Sequence, residues 1–520
     1  MEEIRRKSAI PKTGEIILSL FDRGEDLLWG RYERQLPLCG FTDNGLNCRR
    51  CFNGPCRINP FGDEPDRGVC GADRDQIVME TIFQATVGGV LETARALSIL
   101  EDPAAELPDI SADLPGKTRE RLSAAGLLPV RRSQLGEVQN SYFSHKGYLG
   151  RTLKDLVRLG LIHYGLLKRI GQADGKLGGW EGPTDDAGAN LLFVGQPSAG
   201  LWESLKKHAS ERSPKINLWG DGSDPASPFP LLADHGTPEL ALAMNLDALI
   251  LAPDAGLPSL GPLAEKLGIP VILVEDSKTP EQTAVLAIDA ALRHRGNTIA
   301  AGPFPVPSRS VPAQNPTFFE KSGVIKEALK SGRVRGVTVI IGEGNVKQTL
   351  FERTLSLMEK CIEQKCPVLL AGGLAAQGLL LEKELKARTG STYSAREKEL
   401  EPAGMAPLTC LGGFGRIPEL IAFLRNPGDG KESAALPAVI SFPEFHRTAT
   451  WACVASFLAL GFTVQIGTRL PFWGSPAVSE ILLKDWPEIS GGALLASAGL
   501  PDGRTQAQQL IAAIEATGKQ

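Results

Sequence analysis

Four cysteines stand close together near the start of the chain: Cys48, Cys51, Cys56 and Cys70. They lie in Cys48-Arg49-Arg50-Cys51-Phe52-Asn53-Gly54-Pro55-Cys56-Arg57-Ile58 and Gly68-Val69-Cys70-Gly71-Ala72. This spacing can bring four thiolates around one centre. Four-iron iron–sulfur clusters are held in this way. Zinc bound by four cysteines is the rival, and a set of buried structural thiols is the third reading. The neighbours favour a cluster over zinc. Arg49, Arg50, Arg57 and Arg67 are close in sequence, and their charges would stabilise an added electron and raise the potential. The segment after Cys70 reads as helical, so a helix N-terminus is expected to face the anionic cluster.

Other residues offer weaker chemistry. Cys361 and Cys366 end a helical pattern before a strand, and Cys453 sits in the apolar run from Trp451 to Leu460. Such thiols read as core residues. Cys410 stays open between a core thiol and a ligand. Glycine-rich turns at Gly342-Glu343-Gly344-Asn345, Ala371-Gly372-Gly373 and Gly412-Gly413-Phe414-Gly415 have the flexibility to cradle a phosphate. None completes a dinucleotide fingerprint or a P-loop, and glycines of this kind usually serve the turn itself.

These residues need a scaffold, and the chain is long enough for one. Its 520 residues suffice for about two to four domains. With a net charge of −4, nothing suggests a nucleic-acid patch or a polybasic membrane anchor. No apolar run approaches the roughly 18–20 residues of a membrane span. Met1 to Lys7 is charged and lacks the apolar stretch of a secretory signal. Nine cysteines in so large a chain are no disulfide framework. The expected location is cytoplasmic, and an exposed cluster further implies an anaerobic setting.

Residues 1–188 read as a helical domain carrying the cysteines. Gln76 to Leu100 has long helical periodicity through Ile77, Val78, Ile82, Phe83, Val90 and Leu97. Thr152 to Ile170 is a second amphipathic helix, and the polar, glycine-rich Gly171 to Gly188 reads as a linker. From about 190, short apolar strands alternate with helices. Strands are expected at Asn190–Val194, Lys215–Trp219, Ala248–Leu251 and Pro270–Val274. A proline- and serine-rich break follows at Gly302 to Asn315. Further strands are expected at Gly336–Ile341, Pro367–Leu370, Pro407–Cys410, Ala438–Ser441 and Thr463–Ile466. Such alternation implies doubly wound, Rossmann-like parallel sheets. The α/β part is expected to divide into 189–315 and 316–520, with ligands outside the carboxyl ends of the strands.

The cysteine stretch, the helix after it and the two α/β domains together resemble the catalytic subunit of nickel–iron carbon monoxide dehydrogenase, within the hybrid-cluster superfamily. Cys-x-x-Cys-x-x-Gly-Pro-Cys-Arg-Ile followed by Gly-Val-Cys-Gly-Ala is a specific signature. Ile341-Gly342-Glu343-Gly344-Asn345-Val346-Lys347 and Leu470-Pro471-Phe472-Trp473-Gly474-Ser475-Pro476-Ala477-Val478 extend the likeness into the C-terminal half. The resemblance implies a 4Fe-4S cluster on Cys48, Cys51, Cys56 and Cys70, relaying electrons between an active site and a dimer interface.

It also implies an active-site centre held by one histidine and five cysteines, and here the chain departs from the pattern. The histidine position becomes Gln196. The first cysteine falls in Gly220-Asp221-Gly222-Ser223-Asp224, the second becomes Ala255, the third Glu343 and the fourth Gly373; Cys410 alone survives. The family's histidine-bearing helix face reads Val90-Leu91-Glu92-Thr93-Ala94, and its lysine, expected near Arg447–Ala449, is not evident. One thiolate cannot hold a thiolate-rich centre, so no nickel is expected. Asp221, Asp224, Asp254 and Glu343 could converge there on a harder metal, with His446 near Glu444 as an added ligand. The simpler reading is that these carboxylates cap helices or face water. The family's subunit-bridging cluster takes two cysteines per chain; Cys39 remains, and Asn47 stands at the second position.

The leading expectation is an electron-transfer iron–sulfur protein on this scaffold, acting as a redox subunit or docking scaffold. The alternative is an oxidoreductase with a rebuilt metal centre, resembling hydroxylamine reductases. An active carbon monoxide dehydrogenase comes last, because too few cysteines remain. The expected partners are a second copy of the chain, or a redox enzyme or ferredoxin-like carrier in a heteromer. Leu38, Phe41 and the Ile77–Leu97 helix offer apolar surface for such contact, or pack the core of a single chain.

Overall fold

The computed structural model describes residues 7–100, 106–144, 149–177, 188–212, 215–221, 234–244, 246–275, 277–296, 322–425, 436–500 and 502–517. The cysteine region opens with a short antiparallel pair, β1 (Asn47–Cys48) and β2 (Cys56–Arg57). A helix follows from Arg74 to Leu100. Its start is set by Asp73: Gln76 N donates to Asp73 Oδ1 at 3.0 Å, and Asp73 N donates to Gln76 Oε1 at 3.1 Å. This reciprocal cap satisfies donors that the helix cannot satisfy itself. Its apolar face is buried against the Leu149–Leu177 and Thr448–Ala459 helices. The last of these is apolar on every side because it is packed on every side. Thus the Ile77–Leu97 face is spent inside a single chain, rather than offered to a partner. Leu91 is the one large apolar side chain of that stretch left exposed, whereas Leu36, Phe52, Phe61 and Val69 are exposed near the cysteines.

Two parallel sheets form the remainder. The smaller contains β3 (Ala189–Val194), β4 (Ile216–Gly220), β5 (Ala248–Leu251) and β6 (Val271–Leu273), in the order β4-β3-β5-β6. The larger contains β7 (Val337–Ile341), β8 (Val368–Ala371), β9 (Leu408–Gly412), β10 (Ala438–Phe442), β11 (Thr463–Ile466) and β12 (Ala493–Ala496), in the order β12-β11-β10-β7-β8-β9. Strands β3, β7 and β10 are buried on both faces, which is why they read as unbroken apolar runs. Strand order reverses beside β3 in one sheet and beside β7 in the other. A crevice forms outside the carboxyl ends at such switch points.

The expected α/β architecture is therefore present, with some differences. The Leu149–Leu177 helix runs seven residues into the stretch that reads as a linker. A Cβ on Gly171 would stand 2.9 Å from Gly415 O, so that glycine serves close packing rather than a turn. Residues 178–187 and the expected break at 302–315 lie outside the described residues. The sequence patterns do not anticipate β12 or the β1–β2 pair. The Pro11–Asp22 and Leu28–Arg34 helices leave the helical part and join the core under the sheets through Ile16, Leu20 and Trp29. There Arg31 pairs with the buried Glu239, and Leu28 N donates to Glu239 Oε2 at 2.9 Å. Among the described residues, no helix is long and apolar enough to cross a membrane.

Candidate functional site

Cys48 and Cys56 face each other across the β1–β2 pair. Cys51 lies in the turn between them, and Cys70 just before the long helix; both are exposed. Val69 N donates to Cys56 Sγ at 3.4 Å, a contact suited to a thiolate acceptor. Burial raises the pKa of the Cys48 thiol, with Glu80, Cys56 and Cys70 adding negative charge nearby. Among the described residues, no three His, Cys, Asp or Glu side chains close up tightly enough to hold a metal ion. The donor set is nevertheless four thiols, two on the hairpin strands, one in the turn that joins them and one just before the long helix. That arrangement fits a cluster.

The surroundings differ from expectation in two respects. Arg50 forms an ion pair with Glu80, so its charge is already matched. Arg57 lies over the Phe41 ring at 5.6 Å, and Arg67 donates to Gly71 O at 3.3 Å. The helix N-terminus expected to face the cluster is closed by Asp73 and Gln76. Cys39 is exposed before the Gly40–Asp43 turn, and hydrogen bonding to Thr42 lowers its thiol pKa. Asn47 keeps a buried, unpartnered side-chain oxygen.

A cavity of about 590 Å³ lies at the carboxyl ends of both sheets. Asp221 follows β4, Asp254 and Ala255 follow β5, Glu343 follows β7, Gly373 follows β8, and His446 and Arg447 follow β10; all seven line it. Asp221, Ala255, Glu343 and Gly373 are therefore brought together where the resemblance places cluster cysteines. Gln196 is buried behind them, its backbone N–H donating to Asp254 Oδ1 at 3.3 Å. Asp224 lies outside the described residues. Cys410 does not line the cavity. It sits on β9 in register with Leu370, and burial pushes its thiol up to about 12. Cys361, Cys366 and Cys453 are core thiols with no exposed surface.

Several cavity residues carry no motif. Asp234 and Gln377 are buried there, with Gln377 Nε2 donating to Asp234 Oδ1 at 2.5 Å and Gly236 N donating to the same oxygen at 2.8 Å. Burial, and then the nearby Asp221 charge, push the Asp234 carboxyl up to about 7. Arg447 is ion-paired with Glu92 across the cavity wall. Thr450 donates to Glu343 Oε1, and Glu343 Oε2 has no partner. Burial raises the Glu343 carboxyl pKa, opposed by His446 and Arg447. The His446 ring donates through Nδ1 to Gly344 O at 2.7 Å. The only sequence signal for Arg447 was its nearness to the missing lysine position.

Glu444, two residues before His446, does not line the cavity and serves the fold instead. It is fully buried and accepts from Phe351 N at 3.0 Å, Thr354 N at 3.2 Å and Thr354 Oγ1 at 2.9 Å. It thus caps the Glu352–Glu363 helix and holds Phe351 at a left-handed φ of 64°. Burial nevertheless pushes its carboxyl up to about 7, against those donors. A carboxyl with a raised folded pKa binds its proton more tightly when folded. Its contribution is complete below the ordinary value of 4.5 and is lost as pH rises through 7. Asp234 has the same sign, starting from 3.8. Stability in urea is expected to fall between about pH 5 and about pH 7.5, and to fall less in Glu444→Gln. Equal slopes in the two proteins would rule out Glu444 as a source.

The chain has extensive similarity to known proteins. The Prismane/CO dehydrogenase family matches residues 46–104. Carbon monoxide dehydrogenase 2 of Carboxydothermus hydrogenoformans is 26% identical, over 98% of both chains. Carbon monoxide dehydrogenase 1 of Methanosarcina acetivorans is 22% identical, over 95% of both. A 61-residue stretch is 56% identical to carbon monoxide dehydrogenase of Rhodospirillum rubrum. In fold, the chain is similar to an as-isolated, nickel-free carbon monoxide dehydrogenase from Thermococcus sp. AM4. That match has a TM-score of 0.79 and 19% identity, covering 99% of this chain and 98% of the other.

Proposed function

From a chain that belongs to the carbon monoxide dehydrogenase and hybrid-cluster superfamily, we propose an electron-transfer protein that keeps the relay cluster and lacks the nickel–iron–sulfur centre. Cys48, Cys51, Cys56 and Cys70 would hold a 4Fe-4S group. When bound, it would supply one-electron transfer. The single observation carrying this reading is the composition of the cavity wall. Ala255, Glu343 and Gly373 stand where the resemblance implies cysteines, and no cysteine is among the lining residues described. A carboxylate and two residues without donor side chains are a poor match for a thiolate-rich centre.

The chain's own groups suit a relay. The exposed Cys51 and Cys70 put the cluster near the surface, and Phe52, Phe61 and Val69 around them are exposed apolar side chains. A homodimer, or a heteromer with a redox enzyme or ferredoxin-like carrier, would cover this face. The two separate sheets support a division into 1–188, 189–315 and 316–520. We place the protein in an anaerobic cytoplasm.

The test is metal analysis and a viologen-linked assay on protein purified without oxygen and supplied with nickel. About four irons per chain, no bound nickel and no carbon monoxide oxidation are expected. Stoichiometric nickel with robust oxidation of carbon monoxide would overturn the reading.

A further inference from the structure

We propose that the cavity at the strand ends binds a small organic cation, an ammonium or guanidinium group carried on an apolar body. At about 590 Å³, its size falls within the roughly 300–1,000 Å³ of small-molecule sites. Five carboxylates line it, from Glu92, Asp221, Asp234, Asp254 and Glu343. They face one guanidinium, Arg447, which is already paired with Glu92. Even with Asp234 and Glu343 protonated, as burial favours, three acidic groups face one guanidinium, so the charge excess is negative.

The unpartnered atoms define the ligand further. Glu343 Oε2 and Gln377 Oε1 are buried acceptors with no hydrogen-bond partner, on cavity-lining residues that are 7% and 3% exposed. Gln377 cannot turn its amide around freely, because its nitrogen is committed to Asp234. Buried acceptors left unmade are costly. A ligand rich in N–H donors would satisfy both and would match the charge. The Trp29 indole nitrogen is a third unpartnered polar atom on the wall, and Trp29 is 4% exposed. It would donate to an acceptor on the ligand, while the indole ring offers an aromatic wall to a cation. Leu257, Val346 and Leu374 complete an apolar surface for the ligand body.

A metal ion fits less well. The unmatched acceptors are one carboxylate oxygen and one amide oxygen, which suit hydrogen-bond donors spread along a molecule. The inference rests on the cavity holding no nickel–iron–sulfur centre. Nickel and iron analysis of the same samples separates failure of that reading from failure of this one.

Calorimetric titration of the full chain with agmatine, putrescine and arginine methyl ester tests the proposal. Tetramethylammonium, butyrate and manganese(II) serve as comparisons. At least one of the three amines is expected to bind at one site per chain. Tetramethylammonium, a cation without donors, should bind at least tenfold more weakly, and butyrate should not bind. Glu343→Gln and Gln377→Met should each weaken the amine at least tenfold, with thermal unfolding confirming that each variant folds. If one variant does not fold, the other decides. Absence of binding by all three amines, or binding unchanged in a folded variant, overturns the proposal. So does manganese binding that Glu343→Gln abolishes while the amines remain silent, because the cavity is then a metal site.

Discussion

Cys51→Ala protein purified without oxygen is expected to contain essentially no iron, against about four atoms per chain in the unmodified protein. Cys51 is exposed in the turn between the paired Cys48 and Cys56. Little apolar burial holds that turn or the loop leading to Cys70: residues 51–53 and 60–67 are exposed, Phe52 and Phe61 among them. Metal ligation would supply the order that packing does not. Loss of the cluster should therefore open residues 51–71 to proteases. The Arg74–Leu100 helix should remain protected, since it is capped by Asp73 and buried along its length. Full iron retention in Cys51→Ala would exclude it as a ligand. Stoichiometric zinc without iron in reconstituted wild-type protein would exclude the cluster.

The second large effect concerns two adjacent glycines with opposite outcomes. A Cβ at Gly89 would lie 2.1 Å from Thr448 O, 2.6 Å from Thr448 C and 2.9 Å from Ala449 N. These are backbone atoms at the start of a buried helix and cannot step aside. Gly89→Ala should cost about 3 kcal/mol or prevent folding, as overpacking of a tight interface does. It should also disturb the Glu92–Arg447 pair, one turn along the same contact. At Gly88 the nearest atom is Thr448 Oγ1 at 3.7 Å, an ordinary contact. There alanine should stabilise by about 0.5–1 kcal/mol through helix propensity. Urea unfolding of both variants decides the matter. Similar stabilities for the two would mean that the helices do not meet at Gly89.

Where one residue type faces one kind of environment, the sequence was readable. The strands β3, β7 and β10 are buried on both faces, so their apolar runs stood out, whereas β12, Ala-Leu-Leu-Ala on the sheet edge, is half exposed and lacks the β-branched and aromatic residues that signal a strand. The long helix after Cys70 was legible from its period. Gly171 misled, because a glycine placed for contact with Gly415 looks the same in sequence as one placed for a turn.

Sequence alone determined the four-thiol set, because close spacing within one segment limits how far its members can separate. It also determined the alternating α/β order and the absence of cysteines at four of the inferred cluster positions. Only the tertiary structure decided that Asp221, Asp254, Glu343 and Arg447 share one cavity with Asp234 and Gln377. Those residues come from the ends of strands distant in the chain. Their meeting depends on strand order, and strand order is set by how buried faces pack rather than by any local pattern. The same holds for Glu444, for which the sequence suggests no partner and which the fold places under the Phe351 and Thr354 amides.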